Sequence, residues 1–200
     1  MAGRIPSKLV LLLSALSLTG CVPLAPSPPE VPLMHGNTKA FGLSGDMVLN
    51  PGVPEAPVQF GGAQMWYRRS IDSDAEFFVH AGSLIGIGVF PYAGAGYRHY
   101  WIQPKSDGGL LSVGGEFSGG ILWARVGLPT SLRLGNLPVW LTTHPSVGAT
   151  NLGLLHIPVG LSINVTDKWQ FNAHAGAWML KDFDFNSTRL YATSSLAVNW

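Results

Sequence analysis

Residues 154–164, with the sequence LLHIPVGLSIN, show the pattern that decides the fold. Apolar side chains recur at every second position from Leu155 to Ile163, and His156, Gly160 and Ser162 stand between them. A period of two places successive side chains on opposite faces of a β-strand. This stretch therefore predicts a strand with one apolar face and one face of small or polar groups.

The same alternation recurs from Lys39 onward, without the 3.6-residue stripe of an amphipathic helix. Turn-forming groups such as Asn50-Pro51-Gly52 separate the runs. The segmentation predicts ten strands, or eight if the weaker segments between 110 and 145 merge. The predicted strands are 39–49, 58–69, 76–89, 92–103, 110–117, 121–134, 138–145, 153–164, 168–180 and 188–200.

Charge is scarce in this chain. Lys and Arg number 12, Asp and Glu number 11, and charged residues make up 12% of the sequence, against about 25% in an average protein. The hydrophobic fraction of 46% excludes a disordered chain. The balanced charge gives no basis for binding nucleic acid, and the single cysteine excludes a disulfide framework.

The distribution of charge indicates which face of the strands meets water. Most charged residues fall in predicted turns, in the N-terminal segment or at strand starts, and too few remain to solvate the outer wall of a soluble barrel. Apolar side chains outside and small polar ones inside are typical of transmembrane barrels, whose closure pairs every strand edge. We therefore predict an all-β fold, an up-and-down antiparallel barrel of the transmembrane type. The charged residues left for the strands are Asp46, Arg68, Arg69, Arg98, Glu116, Arg125, Arg133 and Arg189.

The N-terminus has the three parts of an export signal. Arg4 and Lys8 precede an apolar run, 9–18, which is too short to span a bilayer as a helix of about 20 residues. The closing residues 18–21, LTGC, resemble the lipobox of bacterial lipoproteins. The resemblance implies cleavage before Cys21, acylation of that cysteine with chains such as palmitate, and anchoring to membrane lipid. The alternative is an ordinary secretory signal with a chance cysteine.

The residues after Cys21 are rich in proline. Five prolines lie in 22–33, VPLAPSPPEVPL, and favour a stiff, extended spacer. We interpret it as a tether, the alternative being a peptide ligand for a partner. The predicted organisation is a lipoprotein signal peptide at 1–20, a lipidated cysteine and Pro-rich linker at 21–38, and a β-barrel domain at 39–200.

Two features of the tryptophans bear on the membrane. Threading ten strands from a periplasmic N-terminus brings five tryptophans to one rim, and because indoles favour the headgroup layer we predict an aromatic girdle there. The last strand, which ends on Trp200, is similar to the C-terminal signal of bacterial outer-membrane barrels, with Trp in place of the usual Phe. That resemblance implies recognition by the barrel assembly machinery and location in the outer membrane of a Gram-negative envelope. The predicted girdle residues are Trp66, Trp101, Trp140, Trp169 and Trp200.

Several polar residues occupy the alternate strand positions that are predicted to face the lumen, which we call the inward parity. They predict a polar cluster in the lumen. Buried charges must be paired, so we expect Arg98 or Arg189 to pair with Glu116 or Asp46. No spacing of ligands indicates a metal site, and we predict no metal, cofactor or catalytic residue. The predicted cluster is Asp46, His80, Arg98, Glu116, His174 and Arg189.

Three functions fit these patterns. The first is a non-enzymatic, lipid-anchored outer-membrane barrel with a structural or interaction role or a narrow passage for small solutes, since so small a barrel is largely filled by its own side chains. The second is a periplasmic lipoprotein whose soluble, lipocalin-like barrel binds a hydrophobic ligand. The third is an enzyme acting on lipid, because His144-Pro145-Ser146 resembles the His-x-Ser motif of a lipid A deacylase barrel, although the following residues depart from it.

Overall fold

The computed structural model describes residues 31–33, 37–49, 58–85, 89–103, 110–120, 123–149, 154–180 and 189–200. The predicted signal peptide, Cys21 and most of the Pro-rich linker lie outside these residues. Strands make up most of the described chain, and no helix in it has the length and apolar character needed to cross a membrane. The strands are β1 (Lys39–Leu49), β2 (Val58–Ser70), β3 (Ala75–Ile85), β4 (Val89–Ile102), β5 (Leu111–Gly120), β6 (Trp123–Gly127), β7 (Thr130–Arg133), β8 (Val139–Thr143), β9 (Ser146–Ala149), β10 (Leu154–Asn164), β11 (Trp169–Leu180) and β12 (Arg189–Asn199).

The strands form one closed antiparallel ring. Each strand pairs with antiparallel neighbours, and the first and last strands, β1 and β12, close the ring. Their register runs from Ala40↔Asn199 to Leu49↔Leu190. Each described strand therefore has hydrogen-bonded neighbours on both sides, as a barrel in lipid requires. Lys39 and Trp200 lie together at one end of the barrel, which we call the terminal mouth.

Two of the barrel strands are interrupted at a proline. Strands β6 and β7 both pair with β5, and β8 and β9 both pair with β10, so each couple forms one barrel strand. Pro129 and Pro145 stand at the interruptions, because proline has no amide hydrogen for the ladder. Their carbonyl groups accept hydrogen bonds from Gly114 and Leu128, which keeps the wall continuous. The barrel thus has ten strands, which confirms the predicted fold and strand number.

The side chains alternate between an apolar exterior and a polar interior. In β10, Val159 and Leu161 are exposed, whereas Ser162, which follows Leu161, is fully buried. Most other buried side chains in the described ranges are also polar, and most exposed ones on the strands are apolar. This is the reverse of a water-soluble barrel and agrees with the face assignment made from the sequence.

Large inward side chains lie over glycines of the neighbouring strand. A methyl group at Gly42 would overlap the indole of Trp66, and one at Gly96 would overlap the ring of Phe78. Glycine in a strand often marks such close approach. These positions let bulky side chains fill the narrow interior.

Candidate functional site in the barrel interior

Five charged side chains from five neighbouring strands form a connected network inside the barrel. The strand register places Arg98 directly between two carboxylates, with Glu76↔Arg98 in the β3–β4 pair and Arg98↔Glu116 in the β4–β5 pair. Their positions all have the inward parity of their strands. We call this set the ion-pair network; its members are Arg68, Glu76, Arg98, Glu116 and Arg125.

Glu116 is the centre of the network. Its Oε2 accepts hydrogen bonds from Arg98 Nη2 at 2.6 Å and from Arg98 Nε at 3.0 Å. Its Oε1 accepts from Arg125 Nη2 and from Ser118 Oγ, both at 3.0 Å. His144 Nε2 lies 3.7 Å from Oε2. Both carboxylate oxygens therefore have charge-assisted partners, which offsets the cost of burying the carboxylate.

The other end of the network lies near the terminal mouth. Glu76 Oε2 is 3.5 Å from Arg68 Nη1 and 3.9 Å from Arg98 Nη1. The guanidinium of Arg98 also lies over the ring of Phe78, 5.2 Å from its centroid, and that of Arg68 lies 5.9 Å from the centroid of Trp66. Such contacts are attractive where the cation has lost water. The interior thus contains ion pairs whose guanidinium groups also contact aromatic rings.

The structure brings two of the six predicted lumen residues into direct contact with each other. Arg98 and Glu116 pair with each other, whereas His80 and His174 are buried in other contacts. His80 Nδ1 lies 3.3 Å from Gln64 Oε1, and His174 Nε2 lies 2.9 Å from Thr142 Oγ1. The remaining two are Asp46, which is buried opposite Thr193 of β12, and Arg189, whose side chain lies outside the described residues.

Three network members were not predicted as site residues. Arg68 and Arg125 were counted among the strand charges, and Glu76 was assigned to a strand start. The signal that identifies them is parity: Glu76 shares its face with Phe78 and His80, which both point inward. Parity along one strand still does not give the height of a residue in the barrel, so it cannot show that charges on different strands meet.

Two of the predicted girdle residues point inward. Trp66 and Trp140 are 2% and 1% exposed, so their assignment to an outward aromatic girdle is wrong. Trp66 has the parity of Arg68, and Gly42 provides the space for its indole. The other three, Trp101, Trp169 and Trp200, are 60%, 44% and 47% exposed on the outer wall, and their contact with headgroups stays a prediction.

The histidine and serine of the His-x-Ser sequence lie inside the barrel. Ser146 Oγ is 3.2 Å from Nδ1 of His156, which packs on the ring of Tyr191, and His144 approaches Glu116. Both Ser146 and His156 are buried. Among the described residues, no group of three or more His, Cys, Asp or Glu side chains is arranged to hold a metal ion. His144, Ser146 and His156 therefore form part of the buried polar interior.

Part of the predicted linker also lies in the lumen. Val31 is fully buried, Pro32 is buried and Leu33 is partly buried. Arg68 Nη1 donates to the carbonyl oxygen of Val31 at 2.7 Å, and the amide of Leu33 donates to Glu76 Oε1 at 2.9 Å. We call residues 31–33 the N-terminal strap. The ion-pair network therefore extends to backbone that precedes the first strand.

No protein-family model and no curated protein matches the chain. It is similar to the N-terminal β-barrel domain of Pseudomonas aeruginosa OprF, with a TM-score of 0.42 and 9% identity over 82% of this chain and 98% of that one. It is also similar to Neisserial surface protein A, with a TM-score of 0.37 and 12% identity over 81% and 96%. For Omp33 of Acinetobacter baumannii the TM-score is 0.33 and the identity 8%, over 82% and 98%.

Proposed function

We propose that this protein is a lipid-anchored β-barrel of the Gram-negative outer membrane with a structural or interaction role and no enzymatic activity. The observation that carries the proposal is the inversion of the barrel: an apolar outer wall surrounds a polar, ion-paired interior. Phe117 and Val159, for example, are 60% and 54% exposed, whereas Glu116 and Ser162 are buried. Water is a poor solvent for such a wall, and hydrocarbon is a good one.

The filled interior favours a structural or interaction role over wide-channel activity. Trp66, Trp140 and the side chains of the ion-pair network occupy the lumen, and Arg98 and Glu116 are inaccessible to solvent. A barrel of ten strands has little interior space beyond its own side chains. A narrow passage for small solutes is the limit of what this interior accommodates.

The polar interior also argues against the lipocalin-like alternative. A soluble barrel that holds a hydrophobic ligand needs an apolar cavity and a hydrated exterior. In the described ranges the inward positions instead carry buried polar groups such as Gln64, Ser118 and Asn172. We therefore place the hydrophobic contacts of this protein on its outside, with membrane lipid as the partner.

The lipid anchor is proposed from the LTGC sequence at 18–21 alone. Acylation at Cys21 adds membrane affinity of about 0.8 kcal/mol per buried CH₂ group. Metabolic labelling with an alkyne palmitate tests it, since Cys21→Ser should abolish the label. A label that survives this substitution would refute the anchor while leaving the barrel proposal intact.

A solubility experiment separates the two barrel functions. Cys21→Ser protein, which has no acyl chain, should still float with membranes and should require detergent for extraction, because the barrel wall itself contacts lipid. A folded barrel should also migrate differently before and after heating in gel electrophoresis. Cys21→Ser protein that is monomeric in buffer without detergent would refute the membrane barrel and restore the soluble alternative.

A further inference from the structure

We propose that the N-terminal strap is a built-in plug that closes the barrel at its terminal mouth, with Arg68 and Glu76 as its receptor. Closure of a lumen has a consequence only in a barrel that crosses a membrane, so the inference rests on the proposed function. The occupancy of the lumen by the strap rests on contacts alone and can be tested in detergent.

Arg68 and Glu76 bind the backbone of the strap. Arg68 Nη1 donates to the carbonyl of Val31, and Glu76 Oε1 accepts from the amide of Leu33. Pro32, which has no amide hydrogen, stands between them. The two side chains therefore bind one backbone acceptor and one backbone donor of the strap.

Apolar packing holds the strap from another side. Leu33 packs against a buried cluster of Ala40, Trp66 and Ala197, which lie in β1, β2 and β12. The two alanines are 0% and 1% exposed and leave room where larger side chains would fill the mouth. The site thus combines a charged pair for the backbone with a small apolar pocket for a side chain.

The register places the residues that bind the strap close to the terminal mouth. Arg68, which contacts Val31, pairs with Phe78, whereas Glu76, which contacts Leu33, pairs with Ser70 at the end of β2. Both contacts are therefore made by residues within a few positions of the terminal mouth. Farther along the chain, at the mouth, the side-chain amide of Asn37 donates to the Asp167 carbonyl at 2.9 Å, and Lys39 then begins β1. Leu33 therefore lies beside β3, and Asn37 lies at the β10–β11 turn.

Thiol protection tests whether the strap occupies the lumen. Cysteine is introduced singly into the full-length Cys21→Ser chain, which has no other cysteine, and the folded protein in detergent is treated with a bulky charged maleimide. Val31→Cys should react about 100-fold more slowly than Thr38→Cys, because labelling requires the strap to leave its buried site. Thr38 is exposed in the same segment and serves as the matched control. Equal rates would overturn the proposal.

Conductance in planar bilayers tests whether the strap closes the barrel. Replacement of all three strap residues, Val31→Gly with Pro32→Ser and Leu33→Gly, should make small channel openings more frequent than those of the wild type, while the ion-pair network still limits their size. Leu137→Ser, on an exposed turn at the same mouth, should behave as the wild type does. A folded triple variant with unchanged conductance would overturn closure, and if this variant does not fold, the conductance of the single variant Leu33→Gly decides in its place.

The two experiments also separate this inference from the proposed function. Failure of the membrane proposal appears as a barrel that is soluble without detergent, whatever the maleimide rates are. Failure of the plug appears as rapid labelling of Val31→Cys in a barrel that still needs detergent.

Discussion

Arg98 and Glu116 face each other across the β4–β5 pair, with Nη2 and Oε2 2.6 Å apart and neither residue more than 2% exposed. Arg125 and His144 approach the same carboxylate from the next two barrel strands. The buried carboxylate of Glu116 therefore links four neighbouring barrel strands. Removing this carboxylate would leave guanidinium groups buried without their counter-ion, which is more costly than never having buried them.

We expect Glu116→Ala to destabilise the barrel by about 3–5 kcal/mol, the usual cost of breaking a buried ion pair. Equilibrium unfolding in urea, with lipid vesicles present, measures this loss. Arg69→Gln, which changes an exposed charge in β2, is the control and should change the free energy of unfolding by less than about 0.5 kcal/mol. Equal effects of the two substitutions would mean that the network is not what holds the interior together.

Val159→Arg should impair membrane assembly, because it places a cation on the exposed apolar wall of β10. The expected cost is about 2–4 kcal/mol if the position lies near the middle of the bilayer. The fraction of protein in the heat-modifiable, folded form reports the effect. Val165→Arg is the matched control, since Val165 is 64% exposed in the β10–β11 turn, and assembly equal to the wild type is expected there. Efficient assembly of Val159→Arg would contradict lipid contact at this wall.

The two glycines at 42 and 45 should respond differently to alanine. A methyl group at Gly42 meets the indole of Trp66, and we expect overpacking to cost about 1–3 kcal/mol. Gly45 has the Gly62 carbonyl at 3.9 Å as the nearest atom to such a methyl group, so Gly45→Ala should be neutral or stabilising by up to about 1 kcal/mol. Thermal unfolding of the two variants gives the comparison. A stabilised Gly42→Ala variant would show that Trp66 does not lie across β1.

Quenching of tryptophan fluorescence by brominated lipid should distinguish the outward from the inward indoles. Trp101→Phe removes an indole that is 60% exposed on the wall, so the quenched fraction of the emission should fall. Trp66→Phe removes a buried one, so the quenched fraction should rise. The opposite result for Trp66 would restore its assignment to the girdle.

The fold could be predicted from the sequence because alternation is a local property. The predicted segment 39–49 coincides with β1 (Lys39–Leu49), and the apolar stripe of β10 faces outward as expected. The predicted segment 121–134 is divided at Pro129, and the predicted end at residue 145 is passed by β9 (Ser146–Ala149). The predicted segment 138–145 ends at Pro145, whereas the carbonyl of Pro145 accepts from the Leu128 amide and the barrel strand continues beyond it.

The interior could be predicted only in part, because it depends on register. Parity identified Arg98 and Glu116 as inward residues, but the height of each residue is set by how far neighbouring strands are shifted. Glu76 was therefore not predicted as a lumen residue, although it pairs with Arg98 in the β3–β4 register. Trp66 was assigned by its distance from the strand end, which gives a rim position and not a face. The lumen contacts of Val31 depend on a return of the chain into the barrel, for which the Pro-rich composition gives no signal.

The position of the N-terminal strap determines how force enters the molecule. If the proposed acyl anchor at Cys21 is pulled, tension passes along the chain to Val31 before it reaches β1, because Val31 comes first in the covalent order. The hydrogen bonds to Arg68 and Glu76 therefore carry the load ahead of the barrel wall. A lateral force between the proposed anchor and the barrel would therefore act first on Arg68 and Glu76, and only afterwards on the barrel wall.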